Sequence, residues 1–132
     1  LWLVKHLTRA EALWVLHPTY YGTTGDIAAL AETSRRHDAR LLVDGAHSPH
    51  FAFHPDLPSP GETSGAAATV QSVHKILSGL SQAAVLHIDP ERLDPRPYAG
   101  HFSWYRPPAH ISPSWPPSIW PAAKWLVMDA IC

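Results

Sequence analysis

An α/β fold built on a mostly parallel sheet is what this sequence predicts, and three observations carry the expectation. Short apolar runs recur without internal alternation, a segment at helical spacing separates the first two, and turn-forming residues close each run. Strands that are apolar on both sides suit a sheet covered on two faces, whereas a half-exposed antiparallel sheet would alternate apolar with polar residues.

"ALWVLH" (12–17) is the first strand, ended by "PTYYGTTGD" with its turn formers Pro18, Gly22 and Gly25. A helix follows in "DIAALAETSRRHDA". Ile27, Leu30, Ala31 and Ser34 share one face, Asp26 or Thr24 can cap the start, and Arg35, Arg36 and His37 suit the negative C-terminal end. "RLLVD" (40–44) is the second strand and leads into the long loop "GAHSPHFAFHPDLPSPGETSG". "ATVQS" (68–72) and "QAAVLHI" (82–88) are the third and fourth strands. Only about ten residues join them, too few for a helical crossover, so this last pair should be antiparallel.

Eight of the fourteen prolines lie between Pro95 and Pro121, which excludes regular structure from most of that stretch. Helical spacing resumes in "SIWPAAKWLVMDAIC" through Trp120, Ala123, Val127 and Ile131, with Ser118 as a cap and Pro121 in the first turn. The expected division is 1–94 for the body of the domain, 95–121 for a Pro-rich loop or arm, and 122–132 for the start of a helix of the same domain.

Composition narrows the function. With 132 residues, 45% apolar and 16% charged, the chain suits one soluble globular domain with a modest core. Ten basic and eleven acidic side chains nearly cancel, so neither nucleic acid nor an anionic membrane surface is an expected partner. No apolar run reaches the length of a membrane span, and "LWLVKHLTRAEALW" is broken by Lys5, His6, Arg9 and Glu11, unlike a signal peptide. A cytoplasmic protein is expected. The single cysteine, Cys132, gives no disulfide framework and agrees with a reducing compartment.

In an open parallel sheet, ligands bind beyond the carboxyl ends of the strands. There the sequence places "HPTYYG" after the first strand, "DGAHSPH" with Asp44 after the second, and "SVHK" with Ser72, His74 and Lys75 after the third. A lysine desolvated at such a rim is a nucleophile toward carbonyls, which is Schiff base chemistry. A carboxylate on a neighbouring strand is what a pyridinium nitrogen requires, through a charge-assisted hydrogen bond of roughly 1.5 to 3 kcal/mol. A hydroxyl and a ring N–H beside the lysine, from Ser72 and His74, can donate to a phosphate.

"HPTYYG", "LLVDGAH", "FHPDLP", "VQSVHKILSGLSQAAVLH" and "SPSW", in this order and approximate spacing, resemble the large domain of the pyridoxal phosphate dependent ornithine, lysine and arginine decarboxylases of fold type I. The resemblance covers most of residues 13 to 128. It implies a partial three-layer αβα sandwich truncated at both ends, and pyridoxal 5'-phosphate as cofactor. It makes Lys75 the Schiff base lysine and Asp44 the partner of the pyridine nitrogen. Ser72 and His74 become phosphate ligands, Ala46 a residue against the ring, and His47 a catalytic position near cofactor and substrate. It also implies a small-molecule substrate, a basic amino acid (lysine, arginine or ornithine) converted to its amine and CO2, and a homo-oligomeric full-length enzyme, a dimer or larger, of which this piece alone is not expected to be active.

The chain departs from the family pattern in places. Gly45 stands where an acidic residue is common, and "HSPHF" replaces a more usual glycine and alanine spacing. Ala109, His110 and Ile111 stand where threonines are typical, one of which reaches the phosphate of a neighbouring subunit. Other readings of the same residues are plainer. Lys75 alone reads as a solvated surface lysine and Asp44 as a loop cap. Tyr20 and Tyr21 read as packing at the base of their loop, and the six tryptophans as core or subunit contacts. A class V aminotransferase or cysteine desulfurase type of enzyme, also of fold type I, would suit "VDGAH". Asp44, His47, His50 and His54 could offer a metal site in a His-rich module, and an inactive remnant serving as an interaction module is the third class.

Overall fold

The computed structural model describes residues 10–79 and 83–98 and the backbone of 126–129. Five strands form one sheet in sequence order: β1 (Ala12–Leu16), β2 (Arg40–Asp44), β3 (Ala68–Gln71), β4 (Ala83–Ile88) and β5 (Leu126–Asp129). β1 pairs with β2 and β2 with β3 in parallel, while β4 runs antiparallel to both β3 and β5. Four strands therefore point one way and β4 alone is reversed. The short β3 to β4 connection has the consequence expected of it.

Helix α1 (Ile27–Arg36) links β1 to β2. Of the two caps available to the sequence, Asp26 takes the role, its Oδ1 accepting from the Ala29 amide at 2.9 Å. Arg35 and Arg36 occupy the last turn and both pair with Glu32, the Arg36 contact at 3.0 Å. Asp38, with φ at 54°, turns the chain out of the helix and into β2. Ile27 and Ala31 of α1 pack with Leu41, Val43 and Ala66 as the core, flanked by Leu13, Val15 and Leu30. Each large aliphatic side chain so buried contributes about 1.5–3 kcal/mol.

Strand alternation and register sort the sheet into two faces. Leu13, Leu41, Val15, Val43, Thr69 and His87 share the face that α1 covers, and Leu41, Val43, Thr69 and His87 are all buried. Trp14, Leu16, Leu42, Val70 and Leu86 lie on the opposite face, where Trp14 is 64% and Leu16 46% exposed. Among the described residues α1 is the one helix longer than a single turn. It supplies one helical layer, so the described part is a sheet with one covered face.

The expectation for residues 122–132 is corrected over its described part. Leu126–Asp129 is a strand, paired from Leu86↔Leu126 to Ala83↔Asp129, rather than part of a helix. The apolar run of Leu126, Val127 and Met128 satisfies the helical and the extended pattern alike. An unpaired β4 edge decides between them, because its N–H and C=O groups need partners. The rest of the proposed helix and the Pro-rich stretch beyond residue 98 lie outside the described residues.

Candidate active site

The carboxyl ends of β2 and β3 deliver the residues singled out in the sequence. Asp44 closes β2, in register with Leu16 of β1 and Val70 of β3, so it stands on the face opposite α1. Its Oδ1 accepts from the Ala46 amide at 3.0 Å, which orients the carboxylate and leaves Oδ2 for another donor. Ala46 and His47 are half-buried in the turn that follows. The His47 ring meets Tyr20 edge to face at 5.9 Å, and both line a cavity of about 390 Å3 between the loops that follow β1 and β2. Asp44, Ser72, His74 and Lys75 do not line that cavity.

Ser72 follows β3 and opens the single-turn helix α2 (Val73–Ile76). Its hydroxyl makes no capping hydrogen bond to that turn. His74 Nδ1 lies 2.9 Å from the Ala83 carbonyl at the start of β4. A carbonyl only accepts, so Nδ1 carries the hydrogen in this contact. Lys75 is held by its backbone, whose amide donates to the Ser72 carbonyl at 3.2 Å, while its side chain is exposed. The desolvation expected of a nucleophilic lysine is thus not supplied by the described residues.

The departures at Gly45 and Ser48 explain each other. A Cβ on Gly45 would sit 2.5 Å from Ser48 Oγ and 3.2 Å from both Thr69 Cγ2 and the Val70 carbonyl oxygen. Ser48, fully buried, fills that space and its hydroxyl donates to the Gly45 carbonyl at 3.0 Å. A serine three residues on therefore requires a glycine directly after Asp44.

Two plainer expectations are corrected. Tyr20 and Tyr21 are 78% and 92% exposed and meet edge to face at 5.7 Å instead of packing at the loop base. The set Asp44, His47, His50 and His54 does not converge: His47 meets Tyr20, His50 meets Phe51 edge to face, and His54 faces Asp56 at 3.8 Å. Among the described residues no three histidine, cysteine, aspartate or glutamate side chains are arranged to hold a metal ion.

The sequence reading also missed two polar anchors. His17 is buried, accepting from the Gly25 amide at Nδ1 and donating to the Ser59 carbonyl from Nε2. It ties the loop after β1 to the loop after β2. Gln71 and His87, buried on neighbouring strands, bond to each other at 3.0 Å. Their signal was available as polar residues at inward positions of apolar strands.

With this geometry in place, comparison with known proteins is decisive for ancestry. The family model for the Orn/Lys/Arg decarboxylase major domain matches residues 3–108.

The chain belongs to the Orn/Lys/Arg decarboxylase family.

Among curated relatives, an arginine decarboxylase of Bacillus subtilis is 37% identical over 79 residues, 60% of this chain and 16% of that protein. An arginine decarboxylase of Halalkalibacterium halodurans is 35% identical over the same length, with the same coverage of each chain. The uncharacterized protein YaaO of Bacillus subtilis is 32% identical over 80 residues, 61% of this chain and 17% of that protein. The chain thus spans about one sixth of the length of the relatives it matches. No solved structure matches it significantly. Among the described residues no helix is long and apolar enough to cross a membrane.

Proposed function

We propose that the chain is the cofactor-bearing part of a decarboxylase that uses pyridoxal 5'-phosphate to convert a basic amino acid, with arginine first among the choices, to its amine and CO2. The observation that carries the reading is the order of groups at two adjacent parallel strand ends: an oriented carboxylate closing β2, and a serine, histidine and lysine directly after β3. The names of the relatives favour arginine.

The donor set fits such a cofactor. Asp44, with Oδ1 occupied by Ala46, offers Oδ2 to a ring N–H. Ser72 offers a hydroxyl that caps nothing in its own turn. His74, with Nδ1 held by the Ala83 carbonyl, would present its other ring nitrogen to a phosphate oxygen. When bound, the cofactor supplies an electron sink for the pair left by departing carboxylate. Lys75 would supply the attaching amine, Ala46 would contribute to the wall beside the ring, and His47 would stand near cofactor and substrate. The solvent that now reaches Lys75 would be excluded by the remainder of a full-length enzyme. That enzyme is a soluble cytoplasmic homo-oligomer, with the second helical layer of an αβα sandwich over the open face.

Borohydride reduction in the presence of excess pyridoxal 5'-phosphate, followed by peptide mass spectrometry, tests the assignment. The chain has three lysines, Lys5, Lys75 and Lys124, and the pyridoxyl group should accumulate on Lys75 and fall away in Asp44→Ala. Equal labelling of all three lysines would sink the reading.

A further inference from the structure

The covered side of the sheet holds a second polar constellation, apart from Asp44 and Lys75. A cavity of about 640 Å3 lies against the loop of residues 49–60 and is walled chiefly by Phe51, Phe53, Leu57, Val73, Leu77 and Val85. Its volume falls within the roughly 300–1,000 Å3 of small-molecule sites. His54, Ser59 and Thr63 also line it, and three further polar side chains, Glu62, Gln71 and His87, form a connected chain at this apolar wall. Gln71 Nε2 lies 3.2 and 3.3 Å from the two Glu62 carboxylate oxygens, and Gln71 Oε1 lies 3.0 Å from His87 Nε2.

Chemistry orders this chain of bonds. A carboxylate only accepts, so Gln71 turns its NH2 to Glu62 and its carbonyl to His87, which must then donate from Nε2. Burial pushes the His87 imidazole down to about 4, so it donates as a neutral ring. The Gln71 amide that Glu62 meets is likewise uncharged, and among the described residues no cation forms an ion pair with Glu62. Burial raises the Glu62 carboxyl above its ordinary range, an electrostatic cost that a cation beside it would offset.

We propose that this cavity binds a small organic cation, an alkyl ammonium or alkyl guanidinium, whose stem lies along Phe51, Phe53, Leu57 and Leu77 and whose head pairs with Glu62. Charge complementarity selects the head and the apolar wall selects the stem. Asp44, Ala46, His47, Ser72, His74 and Lys75 do not line the cavity, and Val73 and Leu77 place it behind the turn that carries Lys75. The site is therefore independent of the cofactor reading and stands or falls separately.

Calorimetric titration of the 132-residue chain with hexylamine, hexylguanidine, 1-hexanol and hexanoate tests it, with amide chemical shifts to locate the ligand. Both cations should bind at least about tenfold tighter than the alcohol, hexanoate should bind weakest, and the shifts should centre on Glu62, Gln71 and Leu77. In Glu62→Gln the preference for the cations should vanish, and Leu57→Trp, which fills the cavity, should weaken every stem alike. Equal binding of amine and alcohol, or a preference that survives in Glu62→Gln, overturns the proposal. So does a dimer in sedimentation that binds no alkylamine, which would give the cavity to a second copy of the chain. Should Glu62→Gln fail to fold, the ratio of amine to alcohol affinity in the unaltered chain decides.

Discussion

The two faces of the sheet differ in what their residues are asked to do. On the α1 side Leu41 and Val43 are each 2% exposed and Thr69 1%, and every neighbour constrains them. On the opposite side Trp14 and Leu16 keep about half their surface or more in solvent. Yet the two sides are almost equally apolar in sequence. Hydrophobicity of a strand residue therefore reports that a partner is expected for its face, and the second element alone reports which face has found one.

The contrast can be broken most forcefully at Leu41. Leu41→Ala removes a side chain from the closed core and should destabilise the chain by about 2–5 kcal/mol in chemical denaturation. A loss below about 1 kcal/mol would mean that the α1 face is no better packed than the open one.

Acid should probe the covered face next. The His87 imidazole is lowered to about 4 by burial, whereas in the unfolded chain it titrates near 6.5. Between those two values the unfolded state binds more protons, so stability should fall as the pH drops through that window, by up to about 3 kcal/mol, and level off below it. Glu62 acts oppositely. Burial raises its carboxyl, so its contribution is lost as the pH rises above the usual carboxylate range. Thermal melts of His87→Gln should therefore lose the His87 slope and show the weaker, inverted one from Glu62. An unchanged acid slope in that variant would place the sensitive group elsewhere.

Smaller effects sharpen the comparison further. Gly45→Ala should cost about 1–3 kcal/mol through the contact with Ser48, and Ser48→Gly in the same chain should restore part of it. Additive losses in that double-mutant cycle would show that the two sites do not share the space. Trp14→Ser on the open face should change stability by less than about 1 kcal/mol. A loss as large as that of Leu41→Ala would mean that Trp14 is buried in solution by a partner or by another part of the chain.

Much of the candidate site could be read without coordinates because its members sit at strand ends, and strand ends are punctuated. Asp44 follows "RLLV" and Ser72 follows "ATVQ", so apolar runs located both to within a residue. Gly45 and Ser48 looked like two unrelated departures from the family pattern, because the close approach that couples them involves Thr69 and Val70 on another strand. Tyr20 and Tyr21 were misjudged for a similar reason: an aromatic pair in a loop has the same local pattern whether packed or exposed. The Glu62, Gln71 and His87 chain joins a loop to two strands, and no sequence spacing announces such a union.

By itself the sequence determined the alternation of elements, two candidate caps for α1, the reversal of β4 and the family to which the chain belongs. Those are consequences of local chemistry: side-chain periodicity, capping, connection length and short motifs. Only the tertiary structure decided that Leu126–Asp129 is a strand, that α1 closes one face while Trp14 stays open, and that a half-buried carboxylate meets an amide at an apolar cavity. Each of these depends on which backbone edge or side chain is brought near from far along the chain, and a hydrogen bond or a desolvated charge acquires its energy only once that neighbour is in place.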